Sequence, residues 1–596
     1  MAPGEPGRRQ SLWIPATVLV TLAIIVAATL VLLGPAPVAC GSGGATRSMA
    51  LRFLIVAPRA PDDAAAYWRD ILGRAGVPHD VLRPSMRAPL TPAALTRGPV
   101  GRYQAIVIAG SALDEMAPAE RAALVDYERR FGVRRVSAFP SGGTAVALGL
   151  RGAAPLDGVV ARLTADGREA FANLRGPVPI ERARVRRGSV ARQARVRILL
   201  SAGRAPLMLS IRHDDGREEL VDMVKQNPMR LHSQLLARDL IGWASRGVHL
   251  GVWHSYLAVQ VDDVLLANLR WDADRDSISD RRRVIMTAAD LARAASWSRD
   301  RGIRLDLGIN ASGATSPARD CTPLGRAIIA RRAQFGFFNH TYNHLNLDEE
   351  DAATITGEIL RNVTWAQSND IPLDPGVLVT GEHSGLANPR LPTALRRTGV
   401  RWLATDASAK TAPSRLGYAT TVARHPSNIY YDAATRAELL DEYNHRNHDG
   451  CRAPRECLPR PATWAEFLRD ESRRLLALVL YNDPRPLFVH QSNLAAEGTL
   501  YPILDRVLRA YRTTVRAPLL QPTLDESGRA LGRQRHWREG QADVVAWRAA
   551  DRLFLRARRR LDIPVTGLVT DPRRRGGQAN WIAVNPDTTK ILRIIR

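Results

Sequence analysis

Residues 334–347, QFGFFNHTYNHLNL, decide the fold of the largest region of this chain. The first half is apolar and predicts a buried strand, and the second half carries His340 and His344. An acidic stretch, 348–351, then opens a predicted helix over 349–365. Strand, loop and helix in this order are typical of α/β folds, in which functional side chains lie where strands end. Two imidazoles four residues apart bind one metal ion if the loop makes a helical turn between them, and imidazole suits zinc.

A carboxylate that could complete such a site stands at the end of another predicted strand. Residues 257–263, LAVQVDD, are apolar until they end in the adjacent carboxylates Asp262 and Asp263. Adjacent side chains of a strand leave it on opposite sides, so one carboxylate is expected to bind the metal and the other to stay free for proton transfer.

The same alternation of strands and helices continues on both sides of these segments, over 251–515. Crossover helices between strands predict an α/β fold with a distorted (β/α) barrel. Strands are predicted at 256–261, 304–309, 335–338, 376–380, 400–404 and 486–489, and helices at 284–300, 349–365, 392–398 and 463–478.

Two accessory regions precede the predicted barrel, and one follows it. Residues 49–150 predict an α/β region, whereas residues 151–250 show short alternating runs separated by Asp-Gly turns, which predict a β-rich module that either binds glycan or packs. Residues 516–596 predict a small β appendage.

Residues 1–48 predict a cytoplasmic tip, a transmembrane anchor and a linker. Arg8 and Arg9 precede an apolar run over 12–33, long enough for a membrane helix and longer than the apolar core of about 7–15 residues of a cleavable signal. We expect a single-pass anchor with its N-terminus inside and the remainder outside the cell. Cleavage and secretion, or a lipid anchor at Cys40, are the alternatives.

The net charge of +25 is carried almost entirely by arginine, since lysine occurs at only three positions. No aromatic-interleaved basic motif or zinc-finger spacing accompanies it, so no nucleic-acid partner is predicted. The four cysteines lack CxxC spacing. In an exported chain, Cys451 and Cys457 are expected to form a disulfide, and Cys321 is free or paired elsewhere.

Four segments together resemble the NodB-type polysaccharide deacetylases. The pair Asp262-Asp263 and the stretch HTYNHLNL at 340–347 are similar to that family's Asp-Asp and H-[ST]-x-x-H-x-x-L motifs. GEHSGLANP at 381–389 and LFVH at 487–490 follow in the family's order. The resemblance spans about 256–493, less than half of the chain.

The resemblance implies a role for each matching residue. Asp263, His340 and His344 would bind a divalent metal, most simply zinc, which activates water and polarises the acetyl oxygen. Asp262 would be the general base and His490 the general acid, with Asp406 orienting His490. Thr341, with Asn339, would support the metal ligands.

The chain also departs from the family pattern. Gly381 stands where the family has an arginine that supports the base, so Glu382 or His383 is expected to substitute, either as a ligand or as a residue that orients the base. An insertion over 407–461 carries Tyr430 and Tyr431, candidates for contact with sugar rings. In this divergence the chain is similar to fungal galactosaminogalactan deacetylases and their bacterial relatives.

The sequence therefore predicts a metal-dependent hydrolase that removes N-acetyl groups from an N-acetylhexosamine-containing polysaccharide of the cell envelope. An O-acetyl esterase or other glycan hydrolase on the same scaffold, and a non-catalytic glycan-binding protein, stay open as alternatives.

Overall fold

The computed structural model describes residues 48–84, 89–188, 195–315, 320–452, 457–568 and 580–594. The first part of this range builds a large sheet with helices packed on it. In chain order its elements are β1 (Ser48–Ala50), β2 (Phe53–Val56), α1 (Asp63–Ala75), β3 (His79–Leu82), α2 (Pro92–Leu95), β4 (Thr96–Arg97), β5 (Val100–Gly101), β6 (Ala105–Ala109), α3 (Pro118–Phe131), β7 (Arg134–Ala138), α4 (Gly142–Ala147), β8 (Leu150–Leu156), β9 (Val159–Leu163), α5 (Ala165–Ala170), β10 (Val178–Ile180), β11 (Ala183–Gly188), β12 (Val196–Ala202), β13 (Ala205–Arg212) and β14 (Glu218–Asp222).

The two accessory regions share one nine-stranded sheet, in the order β10-β9-β12-β13-β14-β7-β6-β2-β3. Strands β3, β2, β6 and β7 are parallel, as expected for an α/β region. Strand β14 pairs in parallel with β7, and antiparallel strands continue from it. The change of pattern near residue 150 therefore marks a change of strand direction within one sheet.

The barrel region follows. Its elements, with those that lead into it, are α6 (Leu231–Ala244), β15 (His249–Leu250), β16 (Ser255–Tyr256), β17 (Val259–Asp262), β18 (Asn268–Asp272), β19 (Ser277–Val284), α7 (Ala288–Arg301), β20 (Leu305–Ile309), α8 (Pro323–Ala330), β21 (Gly336–Asn339), α9 (Ala352–Ser368), β22 (Leu373–Leu378), α10 (Leu391–Thr398), β23 (Trp402–Asp406), β24 (Arg415–Leu416), β25 (Ala419–Arg424), α11 (Arg436–Asn444), α12 (Trp464–Leu480), β26 (Leu487–His490), α13 (Leu500–Thr514) and β27 (Leu519–Leu520).

Seven of these strands are parallel, in the order β26-β17-β20-β21-β22-β23-β25, with antiparallel β24 beyond β25. A parallel bridge between His425 and Leu487 joins β25 to β26 across the remaining gap. The predicted mixed α/β fold and its distorted barrel are therefore confirmed.

Strand β25 corrects one part of the sequence prediction. Its six residues, ATTVAR, lie inside the segment predicted as an insertion. They pair in parallel with β23 along five residues. The strand was missed because the only large apolar side chain in it is Val422, which is too little to make a hydrophobic pattern.

The ends of the barrel helices are set by side-chain caps. Helix α9 begins after Asp351, whose carboxylate accepts the Thr354 N–H, and this cap places the start three residues beyond the predicted one. Helix α12 begins after Thr463, which forms a capping box with Glu466. Apolar side chains of the strands are fully buried, among them Leu305 and Val489 at 0 % exposed, and such burial contributes about 1.5–3 kcal/mol per side chain.

The C-terminal region contains α14 (Leu524–Gly540), β28 (Val544–Ala549), β29 (Arg552–Ala557), β30 (Leu561–Thr566), β31 (Asn580–Val584) and β32 (Thr589–Arg593). Strand β28 pairs with β1, the first described strand, and β30 pairs with β15. Helix α14 packs on the barrel, where Asp525 accepts the Trp402 indole N–H at 2.9 Å. Besides its strands, this region thus contributes a helix that packs against one side of the barrel.

Cys451 and Cys457 form a disulfide with a Cα–Cα distance of 5.7 Å, which confirms the predicted pairing, and Cys321 is a free, half-buried thiol. In the described part of the chain, every helix is too short or too polar to cross a membrane. The predicted membrane segment 12–33 and Cys40 lie outside the described residues.

Candidate metal centre and active site

The structure brings Asp263, His340 and His344 together at the carboxyl ends of β17 and β21. One Asp263 oxygen lies 3.0 Å from His340 Nε2 and 3.2 Å from His344 Nε2. The three ligand atoms all lie within 4.8 Å of one another. Asp263 and His340 are buried, and His344 is half-buried. The convergence predicted from the sequence is thus present in the fold.

The backbone reaches this arrangement through left-handed residues. Asp263 has a φ of 60°, Thr341 of 62° and His344 of 61°. The two imidazoles therefore converge without a helical turn between them, since Thr341 and His344 take conformations that an α-helix excludes. Non-glycine residues in sparsely populated backbone regions cost about 1–3 kcal/mol each and concentrate at functional sites.

Hydrogen bonds fix the orientation of both buried ligands. His340 Nδ1 donates to the Val379 carbonyl at 3.0 Å, which leaves the Nε2 lone pair facing Asp263. The second Asp263 oxygen accepts from the Asn268 amide at 2.8 Å, and Asn268 in turn accepts from Gln491 at 2.8 Å. Sequence reasoning missed Asn268 and Gln491, which carry no motif of their own.

The three ligand side chains fit a divalent cation. A carboxylate oxygen and an imidazole lone pair at 3.0 Å, both acceptors, need a cation or a proton between them. Burial lowers the pKa of His340, but the carboxylates of Asp262 and Asp263 raise it above its ordinary value overall. One carboxylate and two imidazoles are a ligand set that zinc accepts, with positions left for water and substrate.

Three fully buried asparagines hold the loop that carries the histidines: Asn310, Asn339 and Asn362. Asn310 donates to the His340 carbonyl, and Asn339 accepts the Thr341 N–H at 3.0 Å. Asn362 donates to Asn339 at 2.8 Å. The Thr341 hydroxyl donates to the His340 carbonyl at 2.6 Å. Thr341 and Asn339 therefore make the backbone contacts that a supporting role requires.

Asp262 is paired with an arginine that the sequence did not reveal. Arg424, at the end of β25, donates from both terminal nitrogens to the two Asp262 oxygens at 2.8 Å each. Both side chains are almost completely buried. Burial raises the pKa of Asp262, but the Arg424 guanidinium and neighbouring histidines lower it to about 2 overall. Asp262 thus has an arginine partner, which comes from β25 and not from the segment at 381–389 where the family pattern places one.

The segment predicted to replace that arginine has other contacts. His383 Nε2 accepts from Arg424 at 2.8 Å, so in the described part of the chain its hydrogen-bonded link to Asp262 passes through Arg424. Glu382 is exposed, outside the metal cluster, and accepts from Asn346 at 3.0 Å. A Cβ added at Gly381 would lie 3.0 Å from the His344 ring, so glycine gives that imidazole its space.

His490 ends strand β26 directly opposite Asp262 in the parallel register. Burial lowers the pKa of His490 below its ordinary value, and the carboxylates of Asp263 and Asp262 oppose that change. Its ring centroid lies 5.6 Å from that of Tyr431, which is 36 % exposed. Tyr430 is half-buried, and the Arg446 guanidinium lies over its ring at 4.9 Å from the ring centroid.

Asp406 has a different contact from the predicted one. Its carboxylate accepts the Ser408 N–H at 2.7 Å and caps the turn after β23. Within the described ranges, no hydrogen bond joins Asp406 to His490, because β23 and β26 are separated by β25 on one side of the barrel and by four strands on the other.

The structure is similar to that of Agd3, a novel carbohydrate deacetylase, with a TM-score of 0.77 and 16 % sequence identity over 92 % of this chain and 99 % of Agd3. A polysaccharide deacetylase-like structure from Mycobacterium smegmatis (described as putative in its name) aligns over 41 % of this chain and 78 % of its own, with a TM-score of 0.29 and 12 % identity. A family 4 carbohydrate esterase from Streptomyces lividans aligns over 46 % of this chain and 94 % of its own, with a TM-score of 0.26 and 12 % identity.

No family model and no curated protein matches this sequence. The similarity to Agd3 covers nearly the whole of both chains, so it extends beyond the barrel to the accessory and C-terminal regions. The resemblance predicted from the four motifs is therefore confirmed at the level of the fold.

Proposed function

We propose that this protein is a metal-dependent hydrolase that removes N-acetyl groups from an amino-sugar polysaccharide. One observation carries the proposal: a cluster of Asp263, His340 and His344 lies at the same end of the barrel as a buried carboxylate, Asp262, and an imidazole, His490. Amide hydrolysis needs a place to bind and polarise the carbonyl, a base for water and an acid for the departing amine.

Asp263, His340 and His344 would hold the cation, which we propose to be zinc. When bound there, a divalent cation lowers the pKa of water and polarises the acetyl oxygen. The residues around the ligands keep them in place: Val379 and Asn268 orient His340 and Asp263, and Gly381 leaves room for His344.

Asp262 acts as the general base. Because its pKa is about 2, the carboxylate is ionised at neutral pH and able to accept a proton from the attacking water. The remaining hydroxide forms a bond with the acetyl carbon. Arg424 keeps Asp262 in position and balances its charge throughout.

His490 acts as the general acid in its protonated form, which the carboxylates of Asp263 and Asp262 favour against the lowering of its pKa by burial. It donates a proton to the amide nitrogen as the carbon–nitrogen bond breaks, so that acetate and a free amine leave. The half-buried ring lies next to the exposed ring of Tyr431, and we propose that Tyr431 stacks on a sugar ring and so places the acetamido group beside His490.

We propose that the substrate is an N-acetylhexosamine-containing polysaccharide outside the cell, with the enzyme anchored by residues 12–33. The Cys451–Cys457 disulfide supports this location, because such bonds persist in oxidising compartments. Treatment of intact cells with a protease that cannot cross the membrane tests this location. We expect cleavage of the C-terminal region of the protein, and full protection of that region contradicts the proposal.

The test of activity measures acetate and free amine released from acetylated chito- and galactosamino-oligosaccharides by the full-length protein. His340→Ala is expected to lose both bound metal and activity. Asp262→Asn is expected to keep the metal and lose at least about 100-fold in kcat, the usual contribution of a general base. His536→Ala and Asp300→Asn, both at exposed positions, are the matched controls.

Each alternative has its own outcome in that assay. Acetate with a new hydroxyl in place of an amine indicates an O-acetyl esterase. Oligosaccharide binding without acetate release indicates a glycan-binding protein. Unchanged turnover in His340→Ala or Asp262→Asn contradicts the assignment of the site.

A further inference from the structure

A large cleft lies apart from the proposed metal centre, and none of the residues of that centre lines it. It has a volume of about 1880 Å³ and is bordered by β12–β14, by α6, and by residues near 516–520 and 566–568. Trp253 and His254 line it and precede β17, whereas Asp262 is the last residue of that strand and Asp263 follows it. The volume exceeds the roughly 300–1,000 Å³ of a typical small-ligand pocket and suits an extended ligand.

One wall of the cleft carries three arginines on the same face of two neighbouring strands. Arg195 lies opposite Arg212, since the Arg212 N–H donates to the Arg195 carbonyl at 3.1 Å and Val196 pairs with Ile211. Arg197 is two residues beyond Arg195 and therefore projects from the same face. All three side chains are exposed and line the cleft.

Two of these three guanidinium groups have only loose ion pairs. Arg195 pairs with Asp214 at 3.6 Å, and Arg197 pairs with Asp166 and with Glu169 at 3.9 Å each, with all three acidic residues also lining the cleft. In the described part of the chain, Arg212 forms no ion pair within 4.0 Å. Exposed pairs of this kind contribute little, and like charges directly opposite each other destabilise a sheet.

The acidic residue best placed to neutralise Arg212 is already engaged. Glu218 is its cross-strand neighbour, but Glu218 accepts from Arg134 at 2.5 Å on the adjacent strand β7. The cross-strand row Arg195–Arg212–Glu218–Arg134 thus contains three positive charges and one negative charge. An anion seated on this row would remove the repulsion between Arg195 and Arg212.

We propose that this cleft binds an anionic polysaccharide, through carboxylate or phosphate groups seated on Arg195, Arg197 and Arg212. Guanidinium groups match both anions with paired hydrogen bonds. The site is separate from the metal centre, and it would keep the enzyme on an acidic polymer while the barrel acts elsewhere.

The aromatic residues of the cleft favour a polysaccharide over a nucleic acid. Phe131 and Trp243 are 7 % exposed and Trp253 is 8 % exposed. Binding of single-stranded nucleic acid relies on exposed rings on which bases stack. The described lining offers charge and an extended floor but no such stacking surface.

The experiment measures binding of the full-length protein to four labelled polymers at 0.15 M salt: polygalacturonate, a phosphorylated mannan, single-stranded DNA and neutral dextran. The cleft variant is Arg195→Gln/Arg197→Gln/Arg212→Gln. The control variant, Arg396→Gln/Arg397→Gln/Arg506→Gln, removes the same charge at exposed positions outside the cleft. Arg212→Glu alone is a second variant in case the triple variant unfolds.

We expect the cleft variant to bind polygalacturonate or the phosphorylated mannan about tenfold more weakly or worse, and the control to change less than about twofold. The more tightly bound of these two polymers identifies the anionic group. Equal weakening in both triple variants, no binding by the unchanged protein, or tighter binding of DNA overturns the proposal. Since binding needs no catalysis, these outcomes are independent of whether the deacetylase assignment holds.

Discussion

Arg424 and Asp262 are 162 residues apart and form a two-pronged, buried ion pair, with both nitrogen–oxygen distances at 2.8 Å. The Arg424 guanidinium also lies 4.5 Å from the centroid of the Phe488 ring. The proposed base is therefore fixed by a strand on the far side of β26, and Arg424 is the residue whose replacement tests the site most directly.

Arg424→Lys is expected to lower kcat/KM by about 10- to 100-fold, because lysine keeps the charge but cannot make both hydrogen bonds. With weaker pairing, burial dominates and raises the pKa of Asp262 from about 2. The carboxylate then becomes protonated at higher pH, and the acidic limb of the pH–rate profile moves upward. Arg415→Lys, at an exposed position in β24, is the control, and an unmoved acidic limb contradicts the role of Arg424.

Asn268→Ala is expected to weaken metal binding about 10- to 100-fold, because it removes the hydrogen bond to the second oxygen of Asp263. Competition with a fluorescent zinc chelator measures the affinity. Asn369→Ala, at the C-terminal end of α9, is the control. An affinity equal to that of the unchanged protein shows that Asp263 needs no such support.

Gly381→Ala is expected to displace the His344 ring, since the added Cβ would lie 3.0 Å from ring atoms. We expect about a tenfold or greater loss of kcat/KM, as small misplacements at an active site are costly. Gly357→Ala adds a methyl group to helix α9, where nothing lies within 4 Å, and is expected to keep full activity. Full activity in Gly381→Ala would place His344 outside the working site.

His383→Gln is expected to flatten the pH dependence of stability between about pH 6.5 and 3. Burial, followed by the Arg424 charge, lowers the pKa of His383 from 6.5 to about 3 in the folded protein. The unfolded chain therefore binds more protons in this window, and the folded state loses stability as pH falls through it. Chemical denaturation at several pH values measures the slope, and the same slope in protein and variant contradicts this account.

The sequence predicted the metal ligands and the proposed acid because they stand at the ends of apolar strands in a recognisable order. The resemblance to the deacetylases, and not the local pattern alone, assigned the roles of Asp263, His340 and His490. The backbone between the histidines was not predicted, since left-handed Thr341 is held by Asn310 and Asn339, and Asn339 is held by Asn362.

Arg424 could not be predicted for a similar reason. Its strand, β25, has little hydrophobic pattern, and its partner Asp262 is known only once the barrel forms. The nine-stranded sheet shared by residues 49–150 and 151–250 also depends on one long-range pairing, between β7 and β14. Such contacts leave no trace in the composition of either segment.

The bridge between His425 and Leu487 has a mechanical consequence. It makes β25, β26 and β17 three consecutive strands, so that Arg424, Asp262 and the proposed proton donor His490 share one continuous hydrogen-bonded sheet. A slip of one residue at that junction would misalign all three together. An inserted or deleted residue in β25 should therefore abolish the proposed activity, whereas length changes at the exposed residues 459–461 should be tolerated.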